Sequence, residues 1–348
     1  MNIKKKTIAK LTKCYSIAPL NYHGEPHFLV AAEKTDACLL FDYDGNLVEK
    51  VWDNPGGTMS MVQVPGSDGQ FLATHQFYSP NDSKEAKIVI ATPISKDNWE
   101  IRTLVHLPHV HRFDIVCRNG INYLIACTLK SGHNYKEDWS MPGAIYVAPL
   151  PDDLSSFNNE NPLELTLLKD NLLKNHGYYK LNQDGLISSL VTSEYGVLQI
   201  TPPEEEGAPW SIQQLITDAT SDATLIDLDG DGEAELITLS PFHGERIRIY
   251  KKEAGVYTEI FEYEKPTEFI HALWSGYLKG VPVVVIGHRQ GDRDLLLFSY
   301  DQNTHTYKAQ VIDHDCGPTN VAYFKDETHE FFIATNREID EIAMYTIE

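Results

Sequence analysis

Three histidines recur at one spacing from a glycine, and this spacing is the clearest chemical signal in the sequence. His111, His176 and His271 each stand nine residues before a glycine, and His109 lies two residues before His111, on the same side of an extended strand. Imidazole nitrogens bind Zn²⁺, Mn²⁺ and related divalent ions, and a set of three leaves coordination positions open for a substrate. We therefore expect a transition-metal site formed by these four histidines. The alternative is that they only line a channel and bind water or backbone groups.

An acidic, glycine-rich segment provides a second candidate site. Its carboxylates alternate along the chain, at Asp227, Asp229, Asp231 and Glu235. Ca²⁺ takes about six to eight oxygen ligands, and a loop of alternating carboxylates can wrap around one such ion. The segment lacks the helices of an EF-hand and lies between two predicted strands. We expect a structural Ca²⁺ site here, and the alternative is a tight acidic turn that holds no metal.

A third group of reactive side chains follows short apolar runs along the chain. In chain order these residues are Tyr78, Lys130, Phe242, His243, Arg246, His288, Arg289 and Asn336, with Trp139 in an insertion at residues 130–142. Loops on a rigid scaffold commonly carry binding and catalytic groups, so we expect these side chains to surround one mouth. For each arginine the alternative is a solvated surface charge. The insertion is either a flap over the mouth or a long hairpin loop.

The composition excludes several classes of partner. The chain has 348 residues with 29 Lys+Arg and 50 Asp+Glu, which gives a net charge of −21. A field of that sign repels phosphate backbones and anionic lipids, so neither nucleic acid nor a membrane is an expected partner. No apolar run approaches the ~20 residues that span a bilayer. The five cysteines are odd in number and show no C-x-x-C spacing, which favours free thiols and a cytoplasmic location.

The elements that must position these residues are almost all strands. Short runs rich in Val, Ile, Tyr, Phe and Leu are interrupted by Gly, Asn, Asp or Pro every few residues, which is the pattern of strands and turns. The one stretch with a helical pattern is Leu163–Leu173. The predicted fold class is therefore all-β.

A unit of three apolar strands with a glycine turn recurs seven times. Its copies start near residues 15, 58, 109, 175, 221, 269 and 317. Four-stranded propeller blades run about 40–50 residues, and the last copy ends after its third strand. The N-terminal strand 5–13 can supply the fourth strand and close the ring, which leaves only short sheet edges. We predict that residues 1–348 form a single seven-bladed β-propeller domain, because a sandwich or a solenoid explains the partial last repeat less well.

A propeller would bring the candidate residues to two different faces. The first strand of each blade lines the central channel, so equivalent histidines at its entry converge although they are far apart in sequence. The second strand returns to the same face, and the loops that follow it belong there too. The acidic loop joins first and second strands, and we expect it on the opposite face.

The acidic loop and the blade pattern resemble propellers of the FG-GAP and VCBS type across most of the chain. The histidine-bearing first strands and the segment Ser240–Tyr250 (SPFHGERIRIY) resemble the propeller part of aldos-2-ulose dehydratase. Members of that family eliminate water from keto-sugars and use a metal in the propeller. The resemblance implies the same fold, a divalent metal of the Zn or Mn class and a small carbohydrate substrate.

The first functional hypothesis is a metal-dependent carbon–oxygen lyase, a dehydratase or eliminase, that acts on a sugar, keto-sugar or sugar acid at the channel mouth. Elimination beside a carbonyl needs a Lewis acid, a base for the α-proton and an acid for the departing oxygen. His243 or His288 would be the base, and Tyr78 or Lys130 would assist the leaving group. The expected substrate-binding residues are Arg289, Arg246, Phe242, Trp139 and Asn336.

The second hypothesis is a non-catalytic propeller that binds a protein or a glycan, because propellers commonly serve as binding platforms. Sugar hydrolysis by two carboxylates is a weaker possibility, since the sequence predicts no acidic pair on the histidine face. Metal binding by the histidines separates the first hypothesis from the second.

Overall fold

Seven four-stranded antiparallel sheets follow one another around a ring in the computed structural model, which describes residues 1–183 and 185–348. Blade one contains β2 (Cys14–Tyr22), β3 (Glu25–Ala32), β4 (Cys38–Asp42) and β5 (Leu47–Trp52). Blade two contains β6 (Met61–Gln63), β7 (Phe71–His75), β8 (Lys87–Ser95) and β9 (Asn98–His106). Blade three contains β10 (Val110–Arg118), β11 (Ile121–Lys130), β12 (Pro142–Pro149) and β13 (Thr166–Leu172).

The next three blades repeat this order. Blade four contains β14 (Tyr178–Gln183), β15 (Leu186–Ser193), β16 (Gly196–Thr201) and β17 (Ser211–Ile216). Blade five contains β18 (Asp222–Ile226), β19 (Glu235–Ser240), β20 (Arg246–Glu253) and β21 (Val256–Glu262). Blade six contains β22 (Ile270–Leu278), β23 (Val281–His288), β24 (Leu295–Asp301) and β25 (Thr306–Asp313).

The seventh blade joins the two ends of the chain. It contains β26 (Val321–Lys325), β27 (Glu330–Asn336), β28 (Glu341–Ile347) and, as its outer strand, β1 (Ile3–Lys10). β1 and β28 pair in antiparallel register from Ile3 opposite Ile347 to Lys10 opposite Glu341. The predicted seven-bladed propeller, closed by the N-terminal strand, is confirmed.

Apolar packing between blades explains why so many strands are hydrophobic on both faces. In the described residues seven apolar clusters occur, one between each pair of neighbouring blades. Phe28 of blade one packs against Phe324 of blade seven with ring centroids 5.2 Å apart, so the ring is closed by side chains as well as by strand pairing. A sheet covered on both faces requires strands with near-continuous apolar runs, such as Val283–Ile286.

The residues predicted to be helical, Leu163–Leu173, instead contain β13, the outermost strand of blade three. β13 pairs with β12 through two register shifts, and bulges of this kind break the two-residue alternation of a strand. The resulting leucine spacing imitates a helical one. Within residues 1–183 and 185–348 the helical structure is limited to a 3₁₀ turn at Arg337–Ile339. None of the described helices has the length and apolarity to cross a membrane.

The direction of the strands separates the two candidate sites. The first strands of neighbouring blades contact one another and so line the central channel. His111 and His271 lie at the start of β10 and β22, and His176 lies just before β14. The β19–β20 loop, which carries His243, is at this end of the strands. The β18–β19 loop, which carries Asp227, is at the other end.

Candidate metal centre at the channel mouth

One backbone position lies at, or one or two residues before, the start of the innermost strand of each blade. We call it the ring position, and it is occupied by Tyr15, Met59, His111, His176, Ser221, His271 and Thr319, all of them buried. At Tyr15, His111 and His271 the ring position is the extra residue of a register shift between the first and second strands. Such a bulge breaks side-chain alternation, which frees the side chain to reach another ring position.

Each ring histidine is held by the next blade through its Nδ1 atom. Nδ1 of His111 donates to the main-chain oxygen of His176 (3.1 Å), and Nδ1 of His271 donates to that of Thr319 (2.7 Å). Nδ1 of His176 donates to the carboxylate of Asp222 (3.0 Å). Because these oxygens can only accept, the proton lies on Nδ1 and the lone pair on Nε2. A carbonyl or carboxylate behind the imidazole is also the usual outer support of a metal-binding histidine.

Ring nitrogens of three histidines from different blades lie close together. One ring nitrogen each from His176, His243 and His271 can be chosen so that all lie within 4.8 Å of one another. The Nε2 atoms of His176 and His243 are 3.2 Å apart. Two nitrogens bound to one tetrahedral zinc ion are about 3.3 Å apart, from a metal–nitrogen distance of about 2.0–2.1 Å. The separation of His176 and His243 therefore matches that of two ligands of one ion, and His271 lies close enough to be a third candidate ligand.

His243 reaches this cluster from the β19–β20 loop. It adopts a left-handed backbone conformation with φ of 48°, which is uncommon for a residue other than glycine. Its ring is stacked between those of Phe242 and Phe269, at centroid distances of 3.9 and 4.3 Å. At Gly244 a Cβ atom would lie 2.4 Å from Pro241, so the tight turn requires glycine. The loop thus places an imidazole where strand alternation would not.

Burial keeps these imidazoles neutral. It lowers the pKa of His111, His243 and His271 well below the ordinary value, and nearby positive charge, including that of Arg112 and Arg289, lowers it further. A neutral imidazole keeps the lone pair that binds a metal or accepts a proton. His111, His243 and His271 are therefore neutral and available as ligands or bases near pH 7.

No family model and no curated protein sequence matches the chain. The likeness to FG-GAP and VCBS propellers and to aldos-2-ulose dehydratase stays an expectation from the sequence. The seven-bladed propeller is what the structure shows.

The insertion at residues 130–142 covers one side of the mouth. The indole of Trp139 lies 5.3 Å from the ring of Phe242, which in turn lies 5.3 Å from the ring of His176. Lys130 is fully buried and its Nζ lies 4.1 Å from the centroid of the Trp139 ring. Burial lowers the pKa of Lys130. The insertion is thus the long hairpin loop between β11 and β12. It packs against the mouth, and Nζ of Lys130 donates to the main-chain oxygen of Asp138 within it (2.8 Å).

Arg289 lies at the rim of the mouth. Its guanidinium is 4.5 Å from the centroid of the Phe269 ring, and Nη2 bonds to Glu338 at 2.7 Å. The side chain is thereby fixed beside the aromatic residues that flank His243. By contrast, Arg246 is exposed and lies 3.7 Å from Glu262 on the outer strand of blade five. Arg289 is the better placed of the two for a substrate at the channel.

Two predicted histidines lie in other environments. His109 precedes β10, has φ of 62°, and bonds through Nδ1 to the hydroxyl of Ser83 (2.7 Å). The left-handed residue and the following bulge end the strand alternation that had put His109 beside His111. His288 uses both nitrogens within its own hairpin: Nδ1 donates to the main-chain oxygen of Gln290 (2.9 Å) and Nε2 accepts from the main-chain N–H of Asp294 (3.1 Å). No lone pair of His288 is left to act as a base.

The structure also places Asn336 and Tyr78 away from the converging histidines. Asn336 is fully buried, and its amide donates to Glu341 (2.8 Å) and to the hydroxyl of Tyr345 (3.1 Å), so it supports blade seven from within. Tyr78 is half-buried in the β7–β8 loop, where its main-chain N–H donates to Asp82 (2.9 Å). Burial raises the pKa of Tyr78.

The ammonium group of a lysine side chain lies among the carboxylates of the acidic loop. Nζ of Lys251, on β20, lies 2.5 Å from Asp229, 2.6 Å from Asp231 and 3.8 Å from Glu235. Asp227 folds back on the loop and accepts from the main-chain N–H groups of glycines 230 and 232. Oxygens of Asp227, Asp229 and Glu235 lie within 4.8 Å of one another. Three of the four predicted carboxylates are thus close together, and a lysine ammonium lies among the acidic side chains of the loop.

Two residues of the site escaped the sequence analysis although the sequence contained signals for them. Tyr15 stands nine residues before Gly24, the same spacing that singled out the histidines. Asp222 directly follows the ring position of blade five and supports His176.

Proposed function

We propose that this protein is a metal-dependent carbon–oxygen lyase whose active site is the channel mouth, acting on a keto-sugar or sugar acid. The observation that carries the proposal is the convergence of three imidazoles, from His176, His243 and His271, drawn from three blades. Two of them, His176 and His271, have Nδ1 bonded to oxygen acceptors, so their lone pairs are on Nε2. A divalent ion bound there would supply Lewis acidity toward a substrate oxygen.

The geometry favours an exchange of two roles assigned from the sequence. His243, expected to be the base, lies among the ligands at 3.2 Å from His176. His111, expected to be a ligand, stacks beside His176 at a centroid distance of 4.6 Å, with its proton fixed on Nδ1. A neutral imidazole that carries its lone pair on Nε2 and lies beside a candidate ligand suits abstraction of a proton α to a carbonyl. We therefore assign His111 as the base.

Substrate binding is assigned to the aromatic and cationic groups of the rim. Phe242 and Trp139 supply aromatic surface for a sugar ring. Nε and Nη2 of Arg289 donate to Glu338, and its remaining N–H groups can donate to a carboxylate or hydroxyl of the substrate. Although the chain carries a net charge of −21, Arg289 and Arg112 both lie close enough to lower the pKa of His271. This local positive charge supports an oxidised or acidic sugar over a neutral one.

Metal analysis of the purified protein and of two histidine variants tests the proposal. We expect wild type to bind one Zn²⁺ or Mn²⁺, and His176→Ala or His271→Ala to bind it more than about tenfold more weakly. His106→Ala is the matched control, because His106 is exposed on strand β9. Asp222→Asn should weaken binding by about 10–100-fold while keeping all three ligands.

Activity is measured as ultraviolet absorbance of an unsaturated product formed from keto-sugars or uronates. Loss of elimination in His111→Ala with metal retained would support its role as the base. If wild type binds no divalent ion and histidine variants bind a protein or glycan partner as wild type does, the channel is a binding platform and the lyase proposal fails.

A further inference from the structure

Tyr15 occupies the ring position of blade one and bonds to one of the converging histidines. Its hydroxyl lies 3.1 Å from Nε2 of His271, and the tyrosine is 2 % exposed. Because Nδ1 of His271 donates to the main-chain oxygen of Thr319 at 2.7 Å, Nε2 carries the lone pair. Tyr15 is therefore the donor in this hydrogen bond.

This hydrogen bond uses the same lone pair that a metal would need. A nitrogen lone pair cannot accept a proton from a hydroxyl and coordinate a cation at the same time. Without an ion, the O–H group of Tyr15 is thus hydrogen-bonded to the lone pair of His271, which is the third candidate ligand. Ligand binding at His271 requires that the hydroxyl turn to another acceptor.

The rest of Tyr15 is fixed, so only the hydroxyl has to turn. Its main-chain oxygen accepts from the side chains of Asn320 (2.9 Å) and Thr335 (2.8 Å). The guanidinium of Arg112 lies 5.6 Å from the centroid of the Tyr15 ring. A phenol held in this way keeps its oxygen beside the ligands whichever way the O–H points.

We infer that Tyr15 is a catalytic residue of this site: it caps Nε2 of His271 in the free protein and, once that nitrogen is occupied, donates its O–H to the substrate oxygen. The inference rests on the metal-dependent function proposed above. In its second role Tyr15 stabilises negative charge that develops on that oxygen during elimination, as a donor of an oxyanion hole does.

Tyr15→Phe tests whether the hydroxyl of Tyr15 competes with a metal for His271, because this substitution removes the hydroxyl and keeps the buried ring. Competition by the hydroxyl predicts that the variant binds Zn²⁺ about fivefold more tightly than wild type, which is the effect of removing one ordinary hydrogen bond. Addition of Zn²⁺ to wild type should change the near-ultraviolet tyrosine absorbance, and this change should be absent in Tyr15→Phe. The kcat for elimination should fall while KM changes little.

Tyr178→Phe is the matched control, since Tyr178 lies on the innermost strand of blade four and its hydroxyl bonds to Ser189 (2.8 Å). Its zinc affinity and absorbance change should equal those of wild type. Equal or weaker zinc binding by Tyr15→Phe overturns the role assigned to Tyr15 and leaves the metal site intact. Failure of both wild type and Tyr15→Phe to bind zinc overturns the proposed function itself.

Discussion

Replacing Lys251 by methionine tests whether the acidic loop carries its own cation. The ammonium of Lys251 lies within 3.8 Å of three carboxylates, and Glu235 among them has a side chain with 0 % exposure. Methionine keeps most of the side-chain volume and removes the charge. The loop is then left with several carboxylates and no counter-ion in the chain.

The size of the effect follows from burial. Removing one partner of a buried ion pair costs about 3–5 kcal/mol, and an exposed pair contributes about 0–1 kcal/mol. The side chain of Lys251 is 22 % exposed and that of Asp229 is 13 % exposed, which is intermediate. We expect Lys251→Met to lower the free energy of unfolding by about 2 kcal/mol, and Tm by about 3 °C for a chain of this length.

Calcium should reverse this loss. The variant leaves Asp227, Asp229, Asp231 and Glu235 free to bind Ca²⁺, and a ligand at about 100 times its Kd stabilises the native state by about 2.7 kcal/mol. Thermal unfolding in EDTA and in excess CaCl₂ measures both effects. Lys252→Met is the control, because Lys252 instead lies 5.9 Å from the Tyr257 ring centroid. If calcium raises the Tm of wild type as much as that of Lys251→Met, the lysine does not take the place of the ion.

Two further predictions concern closure and pH. Deleting residues 1–12 removes β1, uncovers β28 and breaks the ion pairs of Lys5 with Asp313 and Glu341, so the protein should aggregate or melt far below wild type; an unchanged Tm would contradict closure by this strand. His75 has its pKa lowered to about 3 by burial. In the unfolded chain it titrates near 6.5, so the unfolded state binds more protons below that pH, and stability is lost as pH falls. At pH 5 this loss is about 2 kcal/mol. The free energy of unfolding of His75→Phe, measured in EDTA at pH 7 and pH 5, should therefore decrease by about that much less than that of wild type. An equal decrease in both proteins would refute the assignment.

The blade architecture could be predicted because it follows from the spacing of glycines and apolar residues along the sequence. Turn glycines and apolar strands recur at intervals that match a blade, and a strand left over at one end matches a strand missing at the other. The same spacing located His176 and His271 at equivalent positions. Each of these inferences needs only the order of residues and the symmetry of the ring.

The position of His243 beside His176 and His271 could not be predicted, because it depends on one loop conformation. His243 reaches the cluster through a left-handed backbone angle of 48° and two stacked phenyl rings, and neither follows from strand alternation. His109 was misplaced for the related reason that a bulge follows it. Lys251 lies on a different strand from the acidic loop, so no motif of consecutive residues could include it.

The ring positions explain how one fold can carry an asymmetric site. All seven lie at or just before the start of an innermost strand. Three carry histidine, and the next blade supplies the groups that orient each of these histidines. His111 and His271 are supported by the main-chain oxygens of His176 and Thr319, so this support survives a change of side chain at those two positions. The contacts made by the carboxylate of Asp222 and the hydroxyl of Tyr15 are lost when these side chains are replaced. Substitutions at Asp222 and Tyr15 should therefore alter metal binding with little effect on closure, because closure depends on the apolar clusters between blades.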